Sequence, residues 1–240
     1  MKRLIFFLLL TSLFSTTNAQ YSIFWNGKEY HVTKTSLIKD TTGKTYDYNA
    51  VLYELSTYEF ELRPVDTRNV IKGFWLMKLS PEEMKRRIES SPMPAETPVF
   101  KTGKKFPVLV ANDMNGNTFD TEKLRGKVIV INFWFTNCLP CRFERPYLNK
   151  IVGEYKEDKN VVFLALALDP KPYVVEFLKE NPFDYNILPD GNDLAKKFKI
   201  SGYPTHVIVD KQGKVAFHTV GYTAVTGHWM RKTIDHLKAE

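Results

Sequence analysis

The two cysteines of this 240-residue chain, Cys138 and Cys141, are the side chains best suited to covalent chemistry. They follow a β-branched and aromatic run at residues 127–135 and precede a stretch with helical periodicity. A cysteine at a helix start faces free backbone N–H groups and the positive end of the helix dipole, which favour thiolate over thiol. A second cysteine one turn later can attack a mixed disulfide formed by the first. The pair therefore predicts two-step thiol–disulfide exchange, with attack by an exposed Cys138 thiolate and resolution by Cys141.

The first 19 residues have the layout of a secretory signal peptide. Lys2 and Arg3 form a short positive end, residues 4–10 are wholly apolar, and small residues run up to Ala19. The apolar core is well short of the ~20 residues that a membrane-spanning helix needs. We therefore expect an exported protein, soluble in the bacterial periplasm after cleavage behind Ala19. It would be membrane-anchored only if this segment were retained.

After the signal segment, the composition of the chain changes at about residue 95. Residues 20–95 are rich in aromatic side chains, and the run at 53–60 alternates polar and apolar residues as half-buried strands do. A helix should begin after Ser80, which can cap it, and end before the prolines in the 91–94 stretch. We expect residues 20–95 to form a smaller, strand-rich domain that selects or positions partners and carries no chemistry of its own.

Residues 96–240 have the pattern of alternating strands and helices. Strands are predicted at 127–135, 161–168 and 185–188, helices from 139 to 154 and at 173–180, 193–198 and 224–238, and a hairpin at 205–220. This order predicts an α/β domain with a mixed sheet and helices on both faces.

Several residues around the cysteines match a known family. Asn132-Phe133-Trp134 leads into Cys138-Leu139-Pro140-Cys141, with Glu144 and Pro146 soon after and Gly202-Tyr203-Pro204-Thr205 about sixty residues later. With these motifs, residues 98–240 resemble the thioredoxin superfamily, and more narrowly its exported TlpA/ResA-like branch of thiol–disulfide oxidoreductases. The resemblance implies a thioredoxin-like fold and a redox-active Cys138–Cys141 disulfide.

The resemblance also implies a groove that holds the backbone of a partner. The positions that match it are Trp134, Leu139, Pro140, Tyr203 and Pro204. In the family the proline at position 204 has a cis peptide bond, but the residues alone leave cis and trans open.

Glu144 is the third candidate catalytic residue. Thioredoxin has a buried aspartate where this chain has Asn132, and the exported branch implies that a glutamate at position 144 handles the proton instead. Glu144 follows Cys141 by three residues on one helix face, so its carboxylate could accept the thiol proton. The alternative is an ordinary solvated glutamate that adds little to stability.

The implied partners are protein disulfides and dithiols. An oxidising compartment favours a dedicated reductant, and a membrane electron donor would re-reduce it, because the chain has no NADPH or flavin motif. A role in cytochrome c maturation is compatible with this interpretation, and net disulfide oxidation stays an alternative. No cofactor is expected. The formal charge of +7 is spread through mixed clusters, so nucleic-acid binding is not expected either.

A cysteine pair can also serve other purposes. Zinc would need two further ligands, c-type haem needs histidine where Arg142 stands, and a thiol peroxidase needs threonine or serine where Phe135 stands. An inert disulfide stays open, although its short loop restrains the unfolded chain little. A copper-binding module of the same fold also stays open, with His206 or His218 as a third ligand, although such modules have one residue more between their cysteines.

Overall fold

The computed structural model describes residues 21–67 and 70–240 of the chain, so the predicted signal segment at 1–19 lies outside the described residues. The described residues divide into two compact units, of which the first runs through Ser90 and the second begins at Ser91. No helix within these two ranges is both long enough and apolar enough to cross a membrane.

The first unit is built mainly of strands, as predicted. The strands are β1 (Tyr21–Trp25), β2 (Lys28–Val32), β3 (Ile38–Asp40), β4 (Thr45–Tyr46), β5 (Phe60–Thr67) and β6 (Val70–Lys78), and the helices are α1 (Tyr48–Ser56) and α2 (Pro81–Ser90). β1 and β2 form an antiparallel hairpin, and the others form a sheet in the order β4-β3-β6-β5. Alternate strand residues such as Ile38, Phe74 and Leu76 are buried in one core, as in a sheet with one covered face.

The structure corrects the prediction of strands over residues 53–60. Residues 53–56 are the last turn of α1, and β5 begins only at Phe60. A local signal starts this helix, because the Asp47 carboxylate accepts a hydrogen bond from the N–H of Ala50 at 2.9 Å. Apolar side chains then recur at helical spacing and pack into the core: Tyr48, Val51, Leu52 and Leu55. Burial of this apolar stripe stabilises a helix at residues 53–56 in place of the predicted strand.

The chain after α2 packs on the second unit. Nε1–H of Trp229 donates to the carbonyl of Ser91 at 3.3 Å, and the hydroxyl of Thr219 donates to the carbonyl of Ala95 at 2.9 Å. These residues therefore belong to the second unit, which begins at Ser91, five residues before the start at residue 96 expected from the prolines. The separate folding of residues 20–95 stays a prediction.

The second unit has a five-stranded mixed sheet and a small hairpin. The hairpin is β7 (Val110–Asn112) and β8 (Thr118–Asp120), and the sheet strands are β9 (Val128–Trp134), β10 (Val161–Ala167), β11 (Asn186–Leu188), β12 (Thr205–Val209) and β13 (Val215–Val220). The sheet order is β11-β10-β9-β12-β13. β9, β10 and β11 run parallel, whereas β12 is antiparallel to both β9 and β13. The predicted α/β fold with a mixed sheet is confirmed.

Both faces of this sheet are covered. The helices are α3 (Leu139–Tyr155), α4 (Lys171–Glu180), α5 (Asn192–Lys197) and α6 (Ala224–Ala239). One face packs with α3, α4 and α6 through residues such as Leu148, Val174 and Met230. The other packs with α5 and with the segment around Phe106. β9 is therefore buried on both sides, which explains why it is apolar except at Asn132 and places its end in the middle of the domain.

Candidate active site

The candidate active site lies where β9 leads into α3. After Trp134 the chain turns, and the N–H of Thr136 donates to Oδ2 of Asp169 at 2.6 Å, which anchors the turn. Cys138 is the N-cap of α3, and its Sγ accepts a hydrogen bond from the N–H of Cys141 at 3.3 Å. The two cysteines form a disulfide with their Cα atoms 5.2 Å apart. The spacing in the sequence thus corresponds to a cap residue and a residue one turn inside the helix.

Burial of the cysteines corrects the expectation of an exposed Cys138. Both cysteines are only 4% exposed and belong to the core cluster on the α3 face of the sheet. The accessible surface comes from the next residue, because Leu139 is 59% exposed. Exposure therefore does not distinguish the two sulfurs in the oxidised protein. Their positions relative to the helix N-terminus do.

Glu144 is buried, with 2% of its surface exposed, which excludes the alternative of a solvated glutamate. Nδ2 of Asn132 donates to its Oε1 at 2.9 Å, and Nε2 of His206 lies 3.0 Å from its Oε2. Nδ2 of Asn132 also lies 3.3 Å from Nδ1 of His206. The three side chains therefore form a closed hydrogen-bonded group one helical turn after Cys141.

His206 is the residue of this group that the sequence alone did not indicate. The sequence suggests it only as a copper ligand, whereas in the structure it contacts a carboxylate. A signal was present, because His206 lies on the strand after Pro204 and stands opposite Asn132 in the β12–β9 register. Side chains of opposed residues leave the same face of a sheet, so pairing these two strands would have brought them together.

Four of the five predicted groove positions range from exposed to buried. Leu139 and Pro140 are exposed beside the disulfide. Tyr203 is half-buried, and its ring meets that of Phe135 edge-on with centroids 5.4 Å apart. Pro204 is buried, and the Tyr203–Pro204 peptide bond is cis, which answers the question that the sequence left open.

The structure corrects the prediction for the fifth position, Trp134. It is 2% exposed, and its ring centroid lies 5.5 Å from those of both Phe177 and Phe183. It is a core residue and not part of a groove surface. The reason is the central position of β9, whose two faces are both covered.

Two arginines follow Cys141 on α3. Arg142 directly follows Cys141 and is exposed, and its guanidinium carbon lies 5.7 Å from the ring centroid of Phe177. The corresponding distance for Arg145 is 5.2 Å. Burial, together with the charge of Arg142, lowers the pKa of Arg145. Both guanidinium groups therefore lie over Phe177, the ring that also packs on Trp134.

Two tyrosines complete the surroundings of Glu144. Burial raises the pKa of Tyr185 well above its ordinary value, and the charge of Glu144 adds to the effect. Burial also raises the pKa of Tyr222, against the opposing charge of Arg231. The Tyr222 ring lies 6.0 Å from that of His206. Both phenols are therefore neutral at physiological pH.

The histidines considered as copper ligands both have partners within the protein. His206 contacts Glu144, and Nδ1 of His218 accepts a hydrogen bond from the N–H of Thr97 at 3.0 Å. In the part of the chain that the structure describes, no three His, Cys, Asp or Glu side chains are grouped to hold a metal ion.

Comparisons with known proteins agree with this geometry. Residues 101–235, more than half of the chain, match the family model described as Redoxin. A thiol-disulfide oxidoreductase ResA of Bacillus cereus is 33% identical over 129 residues, 53% of this chain and 74% of that protein. ResA of Bacillus thuringiensis subsp. konkukian is 35% identical over 118 residues, 48% of this chain and 68% of that protein.

A solved structure shares the fold. The crystal structure of a Chlorobium tepidum protein described as the thiol:disulfide interchange protein DsbE superposes with a TM-score of 0.53, at 24% identity, over 57% of this chain and 98% of that one. Fold and site together define a thioredoxin-like thiol–disulfide oxidoreductase. The chain belongs to the Redoxin family and, within it, to the TlpA/ResA-like thiol–disulfide oxidoreductases.

Proposed function

We propose that this protein is exported and reduces disulfide bonds in other exported proteins through Cys138 and Cys141. The observation that carries the proposal is the position of Cys138 as the cap of the 17-residue helix α3, bonded to Cys141 one turn inside it. In the reduced protein the free N–H groups of the first turn would face the Cys138 sulfur. They favour its thiolate, which is the nucleophile in disulfide exchange.

The proposed reaction starts from the dithiol. The Cys138 thiolate attacks one sulfur of the partner's disulfide, forms a mixed disulfide and releases the other partner sulfur as a thiolate. Cys141 then loses its proton and attacks Sγ of Cys138, which closes the Cys138–Cys141 disulfide and releases the second partner thiolate. Two electrons pass to the partner, and its two thiolates take up protons.

Glu144 is proposed as the base for the second step. It lies one turn after Cys141, so the two side chains are neighbours on α3. Its carboxylate is buried and held by Asn132 and His206. Asn132 is an amide and cannot titrate, so the carboxylate is the group available to take the thiol proton.

The partner is proposed to bind over the exposed Leu139 and Pro140, with Tyr203 and Pro204 along the side of the groove. Trp134 would support this surface from the core. The oxidised protein needs an electron donor to return to the dithiol, and we propose one in the membrane. We further propose that residues 1–19 direct export to the periplasm and that residues 20–95 select partners.

Reduction of insulin by the mature chain, compared with Cys138→Ser, tests the activity. The reduction potential of the Cys138–Cys141 couple tests its direction. A value near the ~−270 mV of thioredoxin supports a reductase, and one near the ~−120 mV of DsbA supports the oxidase alternative.

A further inference from the structure

We propose that His206 is a positioning residue that holds the Glu144 carboxylate in the orientation and charge state needed to take the proton of Cys141. The inference rests on the proposed role of Glu144 as base.

The position of His206 is set by the sheet. It faces Asn132 across the β12–β9 pair, so both side chains leave the face on which α3 packs. Asn132 and His206 have no exposed surface, and Glu144 has 2%. A buried polar group is costly unless it is paired, so the hydrogen bonds of these three side chains have to be accounted for together.

The distances assign the proton on His206. The two N–H bonds of the Asn132 amide can serve two acceptors, Oε1 of Glu144 at 2.9 Å and Nδ1 of His206 at 3.3 Å. Nδ1 is then the acceptor of the imidazole, and Nε2 carries the proton that it donates to Oε2 of Glu144 at 3.0 Å. The network thus assigns the Nε2–H tautomer, oriented by Asn132 and directed at the carboxylate.

The orientation of Asn132 supports the same assignment. Its Oδ1 is buried and has no hydrogen-bond partner in the described part of the chain. Rotating the amide by half a turn would place this oxygen against a carboxylate oxygen of Glu144, where two acceptors would repel each other and no hydrogen bond could form. The unpaired carbonyl is therefore tolerated because the NH₂ group serves Glu144 and His206 together, as expected if the group is arranged around the carboxylate.

This arrangement has a consequence for proton transfer. Burial disfavours a charged carboxylate, and hydrogen bonds from donors favour it. Asn132 and His206 each supply one donor to a different oxygen, which leaves further lone pairs of the carboxylate to accept the Cys141 proton. Without the His206 donor the balance moves toward the protonated acid, which cannot act as a base. Removing His206 should therefore impair exchange most at low pH.

The other titratable groups around the pair are Cys141, Tyr185 and Tyr222, with Arg231 acting on Tyr222. Burial keeps both phenols neutral between pH 5 and 9, so they do not titrate in the range that matters. A change in the pH profile there reports on the cysteines, Glu144 and His206.

The test compares insulin reduction by the full mature chain between pH 5 and 9 for wild type, His206→Leu and His206→Gln. His206→Leu removes the donor, so we expect about a tenfold slower rate near pH 6 and an acid limb displaced upward by about one pH unit. His206→Gln places an amide N–H near the position of Nε2 and should stay within about threefold of wild type. If the leucine variant does not fold, His206→Asn replaces it, because the shorter amide does not reach Glu144.

A double-mutant cycle separates positioning from general stability. In a Glu144→Gln background, His206→Leu should change the rate less than about twofold, because there is no carboxylate left to position. The inference is overturned if the pH profile of His206→Leu matches wild type, or if the substitution slows the Glu144→Gln enzyme as much as it slows wild type. Loss of insulin reduction by wild type itself, or full activity of Cys138→Ser, would instead overturn the proposed function.

Discussion

The backbone N–H of Cys141 points at Sγ of Cys138 over 3.3 Å, so the first turn of α3 closes on the sulfur of its own cap residue. This donor and the helix dipole remain available to Cys138 when the disulfide is reduced. Cys141 lies inside the helix, one turn from these free donors. Two equally buried cysteines are thereby placed in different electrostatic surroundings.

Because of this difference, Cys138→Ser should abolish insulin reduction, whereas Cys141→Ser should accumulate mixed disulfides with partners. Only Cys138 has the helix N-terminus to stabilise its thiolate, and only Cys141 is placed to release the partner. Non-reducing electrophoresis after mixing each variant with oxidised insulin measures the trapped species. Trapping by Cys138→Ser and not by Cys141→Ser would reverse the two roles.

Glu144→Gln should slow exchange by about tenfold or more near neutral pH, because an amide cannot take the Cys141 proton. It should also destabilise the fold by about 1–2 kcal/mol, because the new NH₂ group would face Nε2–H of His206. The expected loss follows from the burial of Glu144, since the same change on a solvated helix face would cost little. Urea unfolding and the pH–rate profile measure the two effects.

Glu176→Gln is the matched control for that substitution. This substitution makes the same chemical change on α4, at an exposed position. The Glu176 side chain is 74% exposed, and among the ion pairs seen in residues 21–67 and 70–240 it pairs only with Lys179. We expect it to leave both rate and stability within error of wild type. Equal effects of the two substitutions would show that the Glu144 carboxylate takes no part in the proton transfer.

His218 should make the fold less stable in acid. Burial lowers the pKa of His218 below its ordinary value of 6.5, although Glu96 at 3.5 Å opposes the shift. The unfolded chain therefore takes up this proton at higher pH than the folded chain. The contribution to the free energy of unfolding is complete above about pH 6.5 and is lost as the pH falls toward the folded-state pKa. Urea unfolding between pH 5 and 8 measures it.

His218→Asn should flatten this dependence. The asparagine oxygen can replace Nδ1 as acceptor for the N–H of Thr97, so we expect a loss of only about 1–2 kcal/mol at pH 7. His236→Asn, on an exposed side chain of α6, is the control and should keep the wild-type slope. An unchanged slope in His218→Asn would show that another group titrates.

A fragment of residues 91–240 should fold and reduce insulin about as well as the mature chain. A fragment starting at residue 98, close to the prolines, should have a free energy of unfolding lower by about 2–3 kcal/mol. It lacks three hydrogen bonds, those of Trp229 to Ser91, Thr219 to Ala95 and His218 to Thr97. The lower free energy corresponds to a melting temperature lower by about 5–10 °C. If the 91–240 fragment is insoluble, the residues before Ser91 do not form a separate domain.

Much of the second unit could be predicted from local signals. The spacing of Cys138 and Cys141, the buried run before them and the helical periodicity after them each lie within a few residues. The order of strands and helices from residue 127 on followed from the same kind of pattern and was confirmed, whereas the β7–β8 hairpin was not predicted. Where local patterns conflicted, as at residues 53–60, alternation predicted a strand, but the cap at Asp47 and the burial of one helical stripe decided for α1.

The partners of Glu144 were decided by the tertiary structure. His206 is 62 residues from Glu144 in sequence and 74 from Asn132, and it reaches both only because β12 pairs antiparallel with β9 and α3 crosses that face. The same packing moved Trp134 from an expected surface to the core. A helix cap, or the periodic spacing of apolar residues along a helix or strand, depends on residues that are close in the chain, so the sequence determines both. The burial and the hydrogen-bond partner of a polar side chain depend on strand register and layer packing, which only the folded domain supplies.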